Sequence, residues 1–195
     1  MKDQMTPVER FRALAEGKAV DRIPHGFGVG DTAAKLQGYS MTEYNLDAKV
    51  QVDVGVRAYR EFGLDGLMAF IRTQELFGTE TVYPANSTPY VAETVALEGD
   101  ALKKDYLGDP KTNPKLRVFW DVLDGLFAAV GDEVPIAVAM EGTYTAAGRA
   151  IGVEKLLKLS LRDPEYVTRV LDLISDAQVR IIEALEGYGV GFGMM

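Results

Sequence analysis

A parallel α/β fold made of repeated strand–helix units is what this sequence predicts, and three observations predict it. Val134 to Met140 is almost wholly apolar with no period-two alternation, the pattern of a strand covered on both faces. Helix start and stop signals recur at the spacing of crossover connections. The resulting order is helix, strand, helix, strand, helix, strand, helix and then the beginning of another strand, which is a βα repeat.

Thr6-Pro7-Val8-Glu9 predicts the first helix start: Thr6 caps, Pro7 sits where its missing N–H costs nothing, and Glu9 closes a capping box. That helix ends near Glu16, with Gly17 outside it. Arg22 to Gly26 predicts a short first strand, followed by the glycine-rich run Phe27 to Asp31. The run lacks a Walker ending and the dinucleotide spacing; it reads as a flexible turn at the sheet rim or as a phosphate cradle through Gly28 and Gly30. Asp31 reads as the cap of a short helix after this turn. Ser40 and Glu43 form a second capping box, opening a long helix to about Phe62 with Gly63 as a left-handed stop and Ala48, Val52, Val56 and Tyr59 on its inner stripe. Asp65 to Ile71 predicts the second strand. Residues 81–97, interrupted by Pro84 and Pro89, predict a small antiparallel excursion. Asn113-Pro114 opens a helix to Val130, carrying Phe119 and Trp120 toward the core. Val134 to Met140 is the third strand, and a short helix from about Ala146 is interrupted by Gly152. Asp163-Pro164-Glu165 starts the last long helix, whose apolar stripe is Val167, Val170, Leu171, Ile174, Ile181 and Leu185. The chain then turns through Gly187 and Gly189 into a fourth strand.

A complete (β/α)8 barrel needs about 250 residues. A chain of 195 residues that turns into a fourth strand can therefore supply only about half of one, with about four parallel strands. It is read as one domain over residues 1–195, with an N-terminal helix in 1–20 and a hairpin-like insertion in 80–98. Such a half exposes unpaired strand edges, which invites self-association or pairing with a partner.

The bulk composition excludes several function classes. A net charge of -8 argues against a nucleic-acid surface. With no cysteine and one histidine, there is no disulfide framework, thiolate metal site or histidine-rich zinc site. No apolar run is long enough to span a bilayer, and the N-terminus lacks a signal-peptide core. A cytoplasmic setting is the expectation.

Three stretches, TPVERFRALAEGKAVDRIPHGF, YREFGLDGL and GTYTAAGRAIGVEKLLKLSLRDPEYVTRVLDLISD, together resemble the uroporphyrinogen decarboxylase superfamily. That superfamily includes the decarboxylase of tetrapyrrole synthesis and corrinoid-dependent methyltransferases. The resemblance implies a TIM barrel with its cleft at the C-terminal ends of the strands, of which this chain is the N-terminal half. The decarboxylases carry an arginine-rich M-R-Q-A-G-R motif after the first strand; here that region, His25 to Tyr39, holds no arginine. They also place an aspartate after the second strand in an F-S-D motif, where this chain has Phe70-Ile71-Arg72. The resemblance thus favours the methyltransferase-like branch: a methyl group passed from methylcobalamin, or from a methyl-corrinoid on a carrier protein, to a small-molecule acceptor that is a thiol or a tetrahydrofolate. A decarboxylase of the family and a non-catalytic, partner-binding half-barrel are the alternatives. Zinc, where the superfamily uses it, would be held by residues this chain does not contain. The chain alone is expected to be inactive.

The expected site lies at the strand tips. His25 ends the first strand and is read as a proton carrier or orienting group, or as a structural hydrogen-bonding residue. Arg72, Gln74 and Glu75 crowd the end of the second strand. Arg72 suits an anionic acceptor or corrinoid side chain, Gln74 a pterin-like or amide edge, and Glu75 is a second ligand or the partner of Arg72. Glu141 ends the third strand, where burial raises a carboxyl pKa and suits proton delivery; its alternative is an ion pair with Arg72 or Arg149. Thr143 and Tyr144 line the same mouth, unless Thr143 only caps the next helix.

Overall fold

The computed structural model describes residues 3–26, 30–189 and 191–194. Its central sheet has three parallel strands, β1 (Leu67–Ile71), β4 (Ile136–Met140) and β5 (Gly191–Met194), in the spatial order β1-β4-β5. Ile71 is level with Met140, and Met140 with Met194, so the strands end together. β2 (Glu80–Val82) and β3 (Tyr90–Glu93) form a separate antiparallel pair, the expected excursion.

The expected first strand is not formed among the described residues. Pro24 has no N–H to give a ladder, and the neighbouring backbone is spent on one aspartate: Asp65 N–H donates to the His25 carbonyl at 2.8 Å, and His25 N–H donates to Asp65 Oδ2 at 2.9 Å. The described sheet therefore has three parallel strands rather than about four.

Helix boundaries follow local chemistry. α1 (Pro7–Ala15) opens with the expected capping box, Glu9 N–H donating to Thr6 Oγ1 at 3.3 Å and Thr6 N–H to Glu9 Oε2 at 2.8 Å. α2 (Gly30–Leu36) follows the glycine-rich run. The long helix expected from Ser40 is two helices, α3 (Met41–Leu46) and α4 (Ala48–Phe62). Asp47, extended at φ -112 and ψ 112, breaks the run and recaps it by accepting from Lys49 N–H at 2.8 Å. Restarting at Ala48 resets the helix phase. Val54 and Ala58 are the fully buried residues, while Ala48, Val52, Val56 and Tyr59 pack only partly against the core. Val52 lies against α5 (Arg117–Val130): a Cβ on Gly125 would come within 2.7 Å of it. Gly63 stops α4 in the left-handed conformation at φ 62.

After β4 the chain enters α6 (Thr143–Ile151) at once, three residues earlier than Ala146. Gly152 at φ 95 ends it, α7 (Val153–Arg162) follows, and Asp163 caps α8 (Pro164–Ala184) by accepting from Tyr166 N–H at 3.0 Å. The buried face of α8 carries Val167, Val170, Ile174 and Ile181, as the stripe predicted, with Leu171 only partly covered. Trp120 and Phe119 are in the core, with Trp120 Nε1 donating to the Pro110 carbonyl at 2.7 Å.

The N-terminal end of the sheet is tied by charge. Arg10 is fully buried and donates to Asp21 Oδ1 at 2.7 Å, to the Met5 carbonyl at 2.7 Å and to Asp65, itself fully buried. Arg22 also donates to Asp65, and its Nη2 reaches Asp3 at 2.8 Å. Every buried charge here has a partner, which is the condition for tolerating it.

Candidate functional site

Because β1 and β4 end in register, Arg72 and Glu141 leave the sheet side by side at its C-terminal end. Strand alternation continues Phe70 into Arg72 and Ala139 into Glu141, and Phe70 and Ala139 are themselves register partners on one face. The two charged residues thus share that face. Each is positioned by a different local device. Arg72 precedes a 3-10 turn over Thr73–Phe77 that carries Gln74 and Glu75. Glu141 precedes Gly142, whose carbonyl accepts the first backbone bond of α6 from Ala146 N–H at 3.0 Å.

Glu141 is buried, at 3% exposure. Arg149 Nη1 stands 2.7 Å from its Oε1, an ion pair whose angles do not form a hydrogen bond, so both carboxylate oxygens lack a hydrogen-bond donor. Burial raises its pKa above the usual carboxylate value; the positive charges of Arg149 and Arg72 oppose the rise and Glu75 adds to it. Gln74, at 1% exposure, likewise has a buried carbonyl oxygen with no donor.

Arg72 donates to Asn45 Oδ1 on α3, and its guanidinium lies 5.6 Å from the Phe70 ring centroid and 5.8 Å from that of Tyr83. Glu75 accepts from the Tyr83 hydroxyl and not from Arg72. Burial, followed by that hydrogen bond, raises the Tyr83 pKa. Arg72, Glu75, Asn45, Tyr83 and Lys115 line a cavity of about 200 Å³ floored by Phe70, Ile71 and Phe119. Lys115 Nζ donates to the Glu75 carbonyl at 2.6 Å, and burial lowers its pKa. The site thus offers one guanidinium, one ammonium and one carboxylate around a partly apolar space.

A model of the uroporphyrinogen decarboxylase (URO-D) family matches residues 6–192. The chain belongs to the URO-D family. Two curated relatives, each a methylcobamide:CoM methyltransferase MtaA, one from Methanosarcina barkeri and one from its strain Fusaro / DSM 804, are 24% identical over 93% of this chain and 56% of their own length. A solved methyltransferase from Methanosarcina mazei matches with a TM-score of 0.72 at 20% identity, over 96% of this chain and 57% of that one. The chain therefore spans about half the length of the relatives it matches.

Within this URO-D chain the remaining expected site residues separate. His25 does not join Arg72 and Glu141. Its backbone is bonded to Asp65, which precedes β1, so it stands at the N-terminal end of the sheet with its side chain exposed. The two bonds to Asp65 decide this: they hold His25 level with the residue that leads into β1, at the end of the sheet away from Arg72. Gly28 lies outside the described residues. Gly30 begins α2, and a Cβ there would come 2.1 Å from the Tyr44 hydroxyl, so its smallness serves the approach of Tyr44. Thr143 donates to Gln178 Oε1 at 2.7 Å, so it is part of a buried network as well as the first residue of α6. Tyr144 is 44% exposed, with its hydroxyl 2.9 Å from Ser160 Oγ on α7.

Sequence reasoning missed Asn45, Tyr44, Tyr83, Lys115 and Gln178. Only Gln178 carried a signal, a polar residue on the apolar stripe of α8 between Ile174 and Ile181. Tyr44 has its pKa pushed up to about 12, by burial first and then by Asp31. Among the described residues no three His, Cys, Asp or Glu side chains gather as a metal-ligand group. With no cysteine and a single histidine in the chain, the residues present do not fit zinc.

Proposed function

We propose that this chain is the N-terminal half of a URO-D-type barrel that moves a methyl group from a methylated corrinoid, presented by a carrier protein, to a thiol or tetrahydrofolate-type acceptor. The carrying observation is the chemistry at the tip of β1. Arg72, where a decarboxylase of the family would place an aspartate, lines a cavity with Lys115, and buried Glu141 follows the neighbouring strand at the same level. The two curated relatives, named as methylcobamide:CoM methyltransferases, support the same branch.

A bound methyl-corrinoid would supply the methyl group in electrophilic form and keep the bonding electron pair, so that a sulfur or nitrogen lone pair of the acceptor would make the new bond. The chain's own residues prepare the acceptor. A thiol or an N–H that gains a methyl must lose a proton, and the Glu141 carboxylate, made more basic by burial, accepts it. Arg72 and Lys115 hold an anionic group of the acceptor or of a corrinoid side chain, and Asn45 fixes the Arg72 fork. Phe70 and Phe119 exclude water from that space.

The test uses the polypeptide as its gene encodes it, supplied with methylcobalamin and either a small thiol or tetrahydrofolate. Loss of the methylcobalamin absorbance together with a methylated acceptor by mass spectrometry is the expected result. No demethylation with either acceptor, alongside carbon dioxide release from a carboxylated tetrapyrrole, would overturn the proposal in favour of decarboxylation. The isolated 195-residue chain should turn over far more slowly than a polypeptide of the relatives' length, because it covers only 56% of them.

A further inference from the structure

The least expected polar side chain in the core is Gln178. It sits mid-way along α8 at 4% exposure, between the fully buried Ile174 and Ile181. A buried primary amide costs free energy unless both of its ends are bonded, and here both are. Its Nε2 donates to the Glu141 carbonyl at 2.7 Å and reaches Thr73 Oγ1 at 3.4 Å. Its Oε1 accepts from Thr143 Oγ1 at 2.7 Å, and Ser175 Oγ, one turn back on α8, lies 3.3 Å from the same threonine oxygen. The orientation of the amide is fixed by its partners. The Glu141 carbonyl can only accept, so the amide nitrogen must face it. The Thr143 proton is then directed to the amide oxygen, leaving Ser175 to donate to Thr143.

The three partners of the amide come from the three places that build the site. Thr73 follows Arg72 and precedes Gln74 at the tip of β1; Glu141 follows β4; Thr143 opens α6. One amide on the crossover helix therefore holds both strand tips and the following helix in one register. We propose that Gln178 is a positioning residue: through Thr73, Thr143 and the Glu141 backbone it holds the Glu141 carboxyl in its buried place beside Arg149, level with Arg72 across the strand tips, the geometry that the methyl-transfer site requires. The functional half of this statement rests on the proposed methyl-transfer reading; the geometric half does not.

The geometric half is tested without donor or acceptor, by following the Glu141 side-chain carboxyl in carbon-13 NMR across pH. Releasing the clamp lets water reach Glu141, so Gln178→Leu and Thr143→Val should each move its titration midpoint down toward the ordinary value. Thr143→Ser, which keeps the hydroxyl, should restore the wild-type midpoint. Ile174→Val, in the same helix, lowers the melting temperature while leaving the midpoint in place, which separates positioning from loss of packing. Should Gln178→Leu fail to fold, the Thr143 pair carries the test. A wild-type midpoint in folded Gln178→Leu or Thr143→Val, or an equal shift in Ile174→Val, overturns the assignment. In the gene-encoded polypeptide, Gln178→Leu and Thr143→Val should lower kcat for methyl transfer at least tenfold with KM for the donor little changed. A moved midpoint with no methyl transfer even in wild type would leave the clamp standing and remove only the functional reading.

Discussion

At Glu141 the stability of the fold and the proposed chemistry oppose each other. Its folded pKa is raised, so the folded state holds the proton more tightly than the unfolded chain does. The unfolded chain ionises first as pH climbs past 4.5, the ordinary value, and stability falls from there until the folded carboxyl has also ionised. Glu141→Gln keeps the shape and removes the charge, at the cost of leaving Arg149 unpaired, but Arg149 is 45% exposed and readily solvated. Thermal melts should therefore show the variant more stable than wild type at pH 7, with the difference disappearing below about pH 4. The same substitution should abolish methyl transfer, since the amide takes up no proton. Arg72→Met predicts a different signature: KM for an anionic acceptor rising about tenfold or more with a smaller change in kcat, because a binding contact is lost. Equal losses in kcat and kcat/KM would instead assign Arg72 to the transition state.

At the scale of elements, the joints matter more than the interiors. α6 and α7 are separated by Gly152 alone, held at φ 95, where a side chain is strained. Gly152→Ala should cost about 1–3 kcal/mol in denaturant unfolding, through backbone strain, since the nearest atoms leave ordinary room for a methyl group. The joint between α1 and the sheet depends on the buried Arg10–Asp65 pair. Arg10→Leu strands Asp65 with only Arg22 and the His25 N–H, and should cost about 3–5 kcal/mol in the same measurement. A loss below about 1 kcal/mol would mean that water reaches Asp65 and solvates it. Both joints carry local signatures, a glycine between two helical patterns and a capping box before an arginine. The break at Asp47 also has its chemistry in the sequence, yet apolar periodicity hid it by running on through both helices.

Across the whole molecule the two ends of the sheet respond to pH in opposite senses. Burial alone would raise the Asp65 pKa, but hydrogen bonds from Arg22 and the His25 N–H, with the charges of Arg10 and Arg22, lower it overall. Its contribution to stability is therefore present above the ordinary aspartate value of 3.8 and is lost as pH falls through the lower folded value. Glu141, at the other end, costs most at neutral pH. The chain should be most stable in mildly acidic solution, and its acid limb should steepen with Asp65 intact and flatten in Asp65→Asn, as read by melting temperature across pH. The fold thus keeps its tightly paired charges at the N-terminal end of the strands and leaves incompletely bonded carboxyl and amide oxygens at the C-terminal end. That is the distribution expected when one end is for stability and the other for binding.

The sequence by itself determined the helix caps, the parallel direction of the sheet and the strand–helix order from β1 onward, and it directed the proposed chemistry to the tips of β1 and β4. These are set by local sterics, by hydrogen bonds spanning a few residues and by apolar period, all of which can be read along the chain. Only the tertiary structure decided that Arg72 and Glu141 are register neighbours, that His25 stands at the opposite end, and that Gln178 bonds residues 37 and 105 positions away. Register and long-range hydrogen bonds depend on how strands slide and helices dock, and those distances leave no periodic trace in the order of residues.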